Sequence, residues 1–165
     1  MRIARQPRPR HLASAGLALV AALALPATTR AATITGTTGN DTLYGTSGPD
    51  QIYALAGDDI VRAGDGADVV SGGPGADTLG GGNGPDSIYG GSGPDRIYGG
   101  WGNDGLAGGP GRDAIDGGYG DDVIVVYGDR TADFVHCGPG TDVAYLGRFD
   151  VADSSCERVV RTLEP

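Results

Sequence analysis

The chain has 165 residues, 32 of them glycine, with 6% aromatics and only two phenylalanines, which leaves room for one domain and too few bulky side chains for a thick core. Its 21 acidic residues outnumber 12 basic ones, for a net charge of −9, a balance that repels nucleic acid and anionic membrane surfaces and attracts cations.

Residues 1–31 read as a secretory signal. Arg2, Arg5, Arg8 and Arg10 form a basic start, Leu12 to Leu25 is uncharged and rich in Ala and Leu, and Pro26 breaks the run, with cleavage expected after Ala31. The alternative, a membrane anchor, is set aside because about 14 apolar residues fall short of the roughly 20 that span a bilayer. Removing the segment takes away five of the 12 basic residues and no acid, leaving seven against 21 and a net charge of −14. The mature protein is expected to be secreted and extracellular. In that oxidising setting Cys137 and Cys156, the two cysteines, are expected to form an intramolecular disulfide.

From Gly36 to Val125 the chain repeats every nine residues, beginning GTTGNDTLY and ending GGYGDDVIV. Each unit holds an aspartate at the same place: Asp41, Asp50, Asp59, Asp68, Asp77, Asp86, Asp95, Asp104, Asp113 and Asp122. Two residues before each stands a glycine, from Gly39 through Gly120, and two residues after each stands an aliphatic residue, from Leu43 through Ile124. Self-similarity at a short fixed period is the mark of a solenoid. The glycine-rich part supplies turns, and the x-aliphatic-x part a minimal strand whose middle side chain points inward. Two units close one coil of eighteen residues, so the aspartates stack in two rows of five on opposite sides.

Such rows are unfavourable without a counter-ion. Carboxylates about 5 Å apart repel by about 1 kcal/mol in bulk water and about 3 kcal/mol at an effective dielectric near 20. A divalent cation between coils removes the repulsion. Every side-chain donor in the repeat is oxygen and the glycine turns expose carbonyls, with no His or Cys in the block. This donor set favours Ca2+ over zinc, copper or iron, and its carbonyl-rich character disfavours magnesium, which keeps its waters.

The units GGPGADTLG, GGNGPDSIY, GGSGPDRIY, GGWGNDGLA, GGPGRDAID and GGYGDDVIV, from Gly72 to Val125, resemble the RTX, or hemolysin-type, calcium-binding nonapeptide Gly-Gly-x-Gly-x-Asp-x-apolar-x. The resemblance implies an all-β parallel β-roll with several calcium ions, up to about eight, held between coils. Its implied ligands are the ten repeat aspartates and turn carbonyls at Gly73, Gly75, Gly82, Gly84, Gly91, Gly93, Gly100, Gly102, Gly109 and Gly111. All ten aspartates match. The glycines match less well, because Thr37, Thr46 and Leu55 stand at the second glycine and Ala54 and Ala63 at the first.

After Val125 the register breaks, with Asp133 eleven residues past Asp122 and Asp142 nine past that. The expected organisation is a signal over 1–31, a roll over 32–127, and an irregular last coil with a disulfide-linked cap over 128–165. Val123 to Tyr127, Phe134, Val135, Val143 to Leu146, Val159 and Val160 are the apolar stretches expected to form the cap and cover the open strand edge. The mature chain has no His-Glu-x-x-His or Gly-x-Ser-x-Gly motif, and His136 is its only histidine, so no enzyme is expected. Outward Tyr44, Tyr53, Tyr89 and Tyr98, with Trp101 and Tyr119 at turns, are expected to fall in non-adjacent coils as ordinary surface rather than a carbohydrate- or ice-binding stripe. The functional expectation is a calcium-dependent structural or surface-adhesive module, with calcium ions as its partners. The alternative is an accessory or degenerate secreted hydrolase or a carbohydrate-binding protein.

Overall fold

A strand begins directly after each repeat aspartate because the x-aliphatic-x segment alternates outward and inward, and in six of the ten units it runs on for six residues into the glycine turn. The computed structural model describes residues 19–20, 30–126 and 128–162. Its strands are β1 (Leu19–Val20), β2 (Thr33–Thr35), β3 (Thr42–Tyr44), β4 (Gln51–Tyr53), β5 (Ile60–Asp65), β6 (Val69–Pro74), β7 (Thr78–Asn83) and β8 (Ser87–Ser92). They continue as β9 (Arg96–Trp101), β10 (Gly105–Ala107), β11 (Ala114–Tyr119), β12 (Val123–Val126), β13 (Phe134–His136), β14 (Val143–Leu146), β15 (Val151–Ala152) and β16 (Arg158–Arg161).

Odd-numbered strands form one eight-stranded sheet and even-numbered strands another, each in strict order along the chain. All pairings are parallel and join residues eighteen apart through the repeat, as in Leu79↔Ile97 and Val70↔Ile88. This is the expected all-β parallel β-solenoid, of about seven turns and without helix among the described residues. Beyond β12 the spacing changes: Ala114 pairs with Phe134 and Val123 with Val143, twenty residues on. The same two sheets then run to β15 and β16, so residues 128–161 continue the ladders. Strand β1 lies within the segment read as a signal and pairs with β3; the rest of that segment up to residue 29 is outside the described residues.

The inward aliphatic row is buried without exception, from Leu43 and Ile52 through Ile97 to Ile124, and is prolonged by Val135, Ala144 and Leu146. The cap's apolar residues divide between inside and outside. Val135, Ala144 and Leu146 are buried, whereas strand alternation turns Val123 and Phe134 outward, and Val159, in register with inward Ala144, is exposed because β16 is the end strand of its sheet. Cys137 and Cys156 are joined, with Cα atoms 5.0 Å apart, closing a loop of about 20 residues for roughly 3 kcal/mol. Arg161 finishes the end by donating from Nη1 to the carbonyls of Gly147 at 3.1 Å and Asp150 at 3.2 Å.

Two glycines show how differently a glycine can be used. Gly82 has φ +116°, and a Cβ there would stand 2.0 Å from the Gly64 carbonyl oxygen. Gly80, an outward strand position, lacks positive φ, and its Cβ would meet nothing nearer than 3.7 Å. In calcium, Gly82→Ala is expected to lose several kcal/mol of stability or fail to fold, while Gly80→Ala is neutral or gains up to about 1 kcal/mol. Thermal denaturation followed by circular dichroism checks both.

Candidate metal site

Each repeat aspartate sits at the point where turn becomes strand, with its side chain directed into the coil and at most 3% exposed. The two carboxylate oxygens do different things. Oδ1 accepts the backbone N–H of the equivalent aspartate one coil earlier: Asp68 to Asp86 at 2.9 Å, Asp77 to Asp95 at 2.9 Å, Asp86 to Asp104 at 2.8 Å, and so along both rows. These bonds take the place of ordinary ladder bonds where each strand begins. The Asp86 carbonyl in turn accepts the N–H of Gly105 at 2.8 Å. One oxygen of each carboxylate therefore has a purely structural task.

Oδ2 is different. At Asp59, Asp68, Asp77, Asp86, Asp95, Asp104, Asp113, Asp122, Asp133 and Asp142 it is buried and has no hydrogen-bond partner. A buried carboxylate oxygen without a partner is among the most costly groups a fold can carry. From Asp77 to Asp122 it faces the first glycine of its own unit, whereas Ala54 and Ala63 hold that position in the units of Asp59 and Asp68. A methyl group at Gly81 would stand 2.2 Å from Asp86 Oδ2 and 2.7 Å from the carbonyl oxygen of Gly99, and one at Gly90 2.4 Å from Asp95 Oδ2 and 2.6 Å from that of Gly108. The carboxylate oxygen and a carbonyl of the next coil thus share a cradle that a Cβ would fill. Among the described residues no three of His, Cys, Asp or Glu converge, so a cation here takes one or two carboxylates and draws its other donors from carbonyls. An all-oxygen set of that kind fits calcium.

The array of unpaired oxygens is displaced by one coil from the array of repeat aspartates. Asp41 and Asp50 head the two rows, but Asp41 Oδ2 accepts from the Thr37 amide at 2.5 Å and hydroxyl at 3.0 Å, and Asp50 Oδ2 from the Thr46 amide at 2.6 Å. Threonine at the second glycine position supplies by itself what an ion would supply. Leu55, at the same position one unit on, instead keeps the left-handed turn with φ +81°, the one non-glycine residue to do so among those described. At the other end Asp133 and Asp142 join the rows, taking the N–H of Asp113 and Asp122 at 2.8 Å each. The sequence signal for them was present: each is followed two residues on by an inward residue, Val135 or Ala144, but a two-residue insertion hides the register. The rows then stop at Asp150, whose Oδ2 accepts from the Gly147 amide at 2.6 Å, and at Glu157, which takes the Asp142 N–H.

The ten turn glycines singled out from sequence, from Gly73 to Gly111, all have positive φ and stack coil upon coil, the carbonyls from Gly73 to Gly102 each directed at the equivalent glycine of the next coil and that of Gly111 accepting from the Thr131 hydroxyl. The carbonyls beside Oδ2 belong instead to first-position residues, Gly90, Gly99, Gly117 and Cys137. Sequence reasoning missed them because a carbonyl leaves no mark on the repeat. Asp58 and Asp121 are exposed, and each accepts one backbone N–H from the next coil.

His136 does not assemble a nucleophilic relay. Asp153 at 2.5 Å and Ser155 at 3.2 Å both meet the same ring nitrogen, Nδ1, and Ser155 Oγ also accepts the amides of Cys137 and Gly138. The hydrogen bond to Asp153 raises the His136 pKa, while bonds from Ser155 and His136 lower that of Asp153 to about 2.

Burial pushes the ladder carboxyls up from 3.8, to about 7 at Asp86, Asp95 and Asp133 and to about 6 at Asp77, Asp113 and Asp122, with the backbone N–H bond at Oδ1 opposing it. The folded metal-free chain therefore holds protons that the unfolded chain releases, and its stability falls as pH rises from about 4 to about 7. In EDTA the β signal in circular dichroism is expected to grow on acidification from pH 8 to pH 5, and in calcium the midpoint calcium concentration is expected to rise over the same interval. A metal-free spectrum that stays constant from pH 8 to pH 5 contradicts this.

A protein-family model for the RTX calcium-binding nonapeptide repeat, in four copies, matches over residues 28–48, 35–70, 44–79, 71–106, 80–115 and 106–130. No curated protein matches the chain. The matched segments run without a gap from residue 28 to residue 130, over the stretch that builds the two aspartate rows, and the chain belongs to the RTX calcium-binding nonapeptide-repeat family.

Proposed function

We propose that this protein is a secreted, non-enzymatic calcium-responsive module that folds as calcium enters between its coils and serves a structural or adhesive role at the cell surface. The observation that carries the reading is the set of ten buried, unpaired Oδ2 atoms. Five lie in one row, at Asp59, Asp77, Asp95, Asp113 and Asp133, and five in the other, at Asp68, Asp86, Asp104, Asp122 and Asp142. Four intervals in each row give up to about eight ions, the number expected from sequence, moved one coil toward the C-terminus. A bound calcium supplies the positive charge that lets these carboxylates stay ionised while buried.

The chain's own residues do the rest. Oδ1 fixes each carboxylate against the preceding coil as the coils form, so the bond that closes the coil also presents Oδ2 to the ion. Because each ion draws on two coils, each helps to build the next position, and binding is expected to be cooperative with midpoints on the order of 10⁻⁴ to 10⁻³ M. Secretion is supported by the general habit of proteins with these repeats and by the basic-then-apolar residues 1–31; on this reading β1 leaves with the signal and the odd sheet begins at β3. The shared use of one His136 nitrogen by Asp153 and Ser155 supports the non-enzymatic reading.

Circular dichroism in EDTA and then in calcium is the deciding measurement. The metal-free chain at pH 8 is expected to gain β structure cooperatively with calcium, and a spectrum unchanged by about 10 mM calcium, well above the expected midpoint, would sink the proposal. Asparagine substitutions sharpen it, since Asn retains the Oδ1 bond and replaces the second oxygen by an uncharged NH2 group that cannot ligate a cation. Asp86→Asn and Asp142→Asn are expected to shift the midpoint upward and lower its steepness, whereas Asp41→Asn leaves the titration unchanged. Equal effects at all three positions argue against ions between the coils.

A further inference from the structure

The exposed aromatic residues of the odd sheet are not scattered. Trp101 and Tyr119 are eighteen residues apart, hence in adjacent coils, and their rings stack at 4.3 Å with 15° between planes. This corrects the expectation that the aromatics fall in non-adjacent coils. Both remain exposed, at 61% and 51%, and Tyr98 beside them is 47% exposed. Tyr98, Asp116, Trp101 and Tyr119 line one depression, and Tyr98 also walls a cleft of about 460 Å³ whose other sides are Arg62, Asp65 and Asn83. The two hollows share Tyr98 and Gly100 and lie in series along the solenoid as a groove with Tyr98 between them. From the coil of Arg62 to that of Asp116 is three strand spacings, about 14 Å.

The cleft exists because Gly80 has no side chain. The residues at its place in the odd sheet are Tyr44, Arg62, Tyr98, Asp116 and His136, paired coil to coil, and every one carries a bulky side chain. Nothing in the backbone demands glycine there, for a Cβ would meet only open space to 3.7 Å. Glycine in a strand also weakens it. Arg62 is held on its own side by a bond from Nη1 to the Tyr44 hydroxyl at 3.2 Å, its guanidinium carbon 5.7 Å from the centre of that ring. Asn83 donates to Asp65 at 2.7 Å. Arg62, Asp65 and Asn83 are therefore held in place before any ligand arrives.

We propose that this groove binds a short run of neutral hexopyranose units in an oligosaccharide chain. The C–H face of a pyranose ring packs against the electron-rich face of an aromatic ring, and its hydroxyls match the planar carboxylate, amide and guanidinium groups of Asp65, Asp116, Asn83 and Arg62. Other occupants fit less well. A peptide strand finds no free backbone groups on a sheet face already bonded to coils on both sides, an apolar partner would strip water from Asp116 and from the Asp65–Asn83 pair, and an anionic polymer meets a strongly acidic chain. This function is additional to calcium binding and needs only the folded roll.

Trp101 is the only tryptophan of the chain, so its fluorescence reports the groove directly. After circular dichroism has established folding in about 10 mM calcium, the full chain is titrated with cellohexaose, maltohexaose and mannohexaose, and with a uronic-acid hexamer for comparison. At least one neutral hexaose is expected to change the Trp101 emission saturably, and the uronic-acid hexamer to leave it unchanged. Gly80→Thr fills the cleft without disturbing the backbone; it is expected to keep its thermal stability and bind at least about tenfold more weakly. Tyr98→Ala should weaken binding similarly, and Tyr53→Ala, on the other sheet, should leave it intact. The proposal is overturned if no neutral hexaose alters the emission of the folded chain at about 10 mM, far above weak-site affinities. It is equally overturned if the uronic-acid hexamer binds as well, or if Gly80→Thr binds like the unaltered chain. A failure to fold in calcium appears in the dichroism alone and bears on the preceding proposal instead.

Discussion

The coil of this protein is closed by a carboxylate that must be buried to do its work. Each ladder aspartate reaches inward to accept an N–H from the coil before it, through Oδ1 at 2.7 to 2.9 Å over the repeats, and that contact holds successive turns at one register where backbone pairing alone would leave an amide unmet. The consequence is a second oxygen drawn into the interior with it. Asparagine would make the same structural bond, yet aspartate stands at every position, so the charge on Oδ2 is what distinguishes this sequence from a roll that needs no ion.

The remaining architecture follows from accommodating those charges. With one inward aliphatic residue in every nine, the core is a double file of Leu, Ile and Val, too thin to absorb ten unpaired carboxylate oxygens. The first-position glycines matter because Oδ2 lies where a Cβ would be. Both ends dispense with an ion by supplying protein donors: Thr37 and Thr46 at the beginning, the Gly147 amide at the close. A solenoid whose ends are self-satisfied and whose middle is not carries buried negative charge at neutral pH, which ties the stability of its middle coils to bound cation.

The outer surface obeys different constraints. Outward strand positions are free of both the ladder and the core, so the same regular scaffold can carry an arbitrary pattern there. Tyr98, the Trp101–Tyr119 stack and the gap at Gly80 lie side by side because eighteen residues bring a side chain back to nearly the same place, one strand spacing along. Proximity in such a fold is read modulo the coil, and residues that look dispersed along the chain become a column.

Much of the fold was legible in the sequence. Period nine, the glycine turns and the aliphatic row set the strand positions, the eighteen-residue coil, the parallel pairing and the two aspartate rows, since each is a strictly local pattern repeated without slip. The disulfide followed from there being two cysteines and no third. What the sequence could not convey was which oxygen of each carboxylate is unpaired, that Thr37 and Thr46 already satisfy Asp41 and Asp50, that Asp133 and Asp142 rejoin the rows across an insertion, or that Trp101 meets Tyr119. The two threonine contacts are local, four residues apart, and depend on the exact turn geometry; the others depend on how one coil settles against the next, because a hydrogen bond or ring stack between residues eighteen or twenty apart is decided by the packed tertiary structure alone.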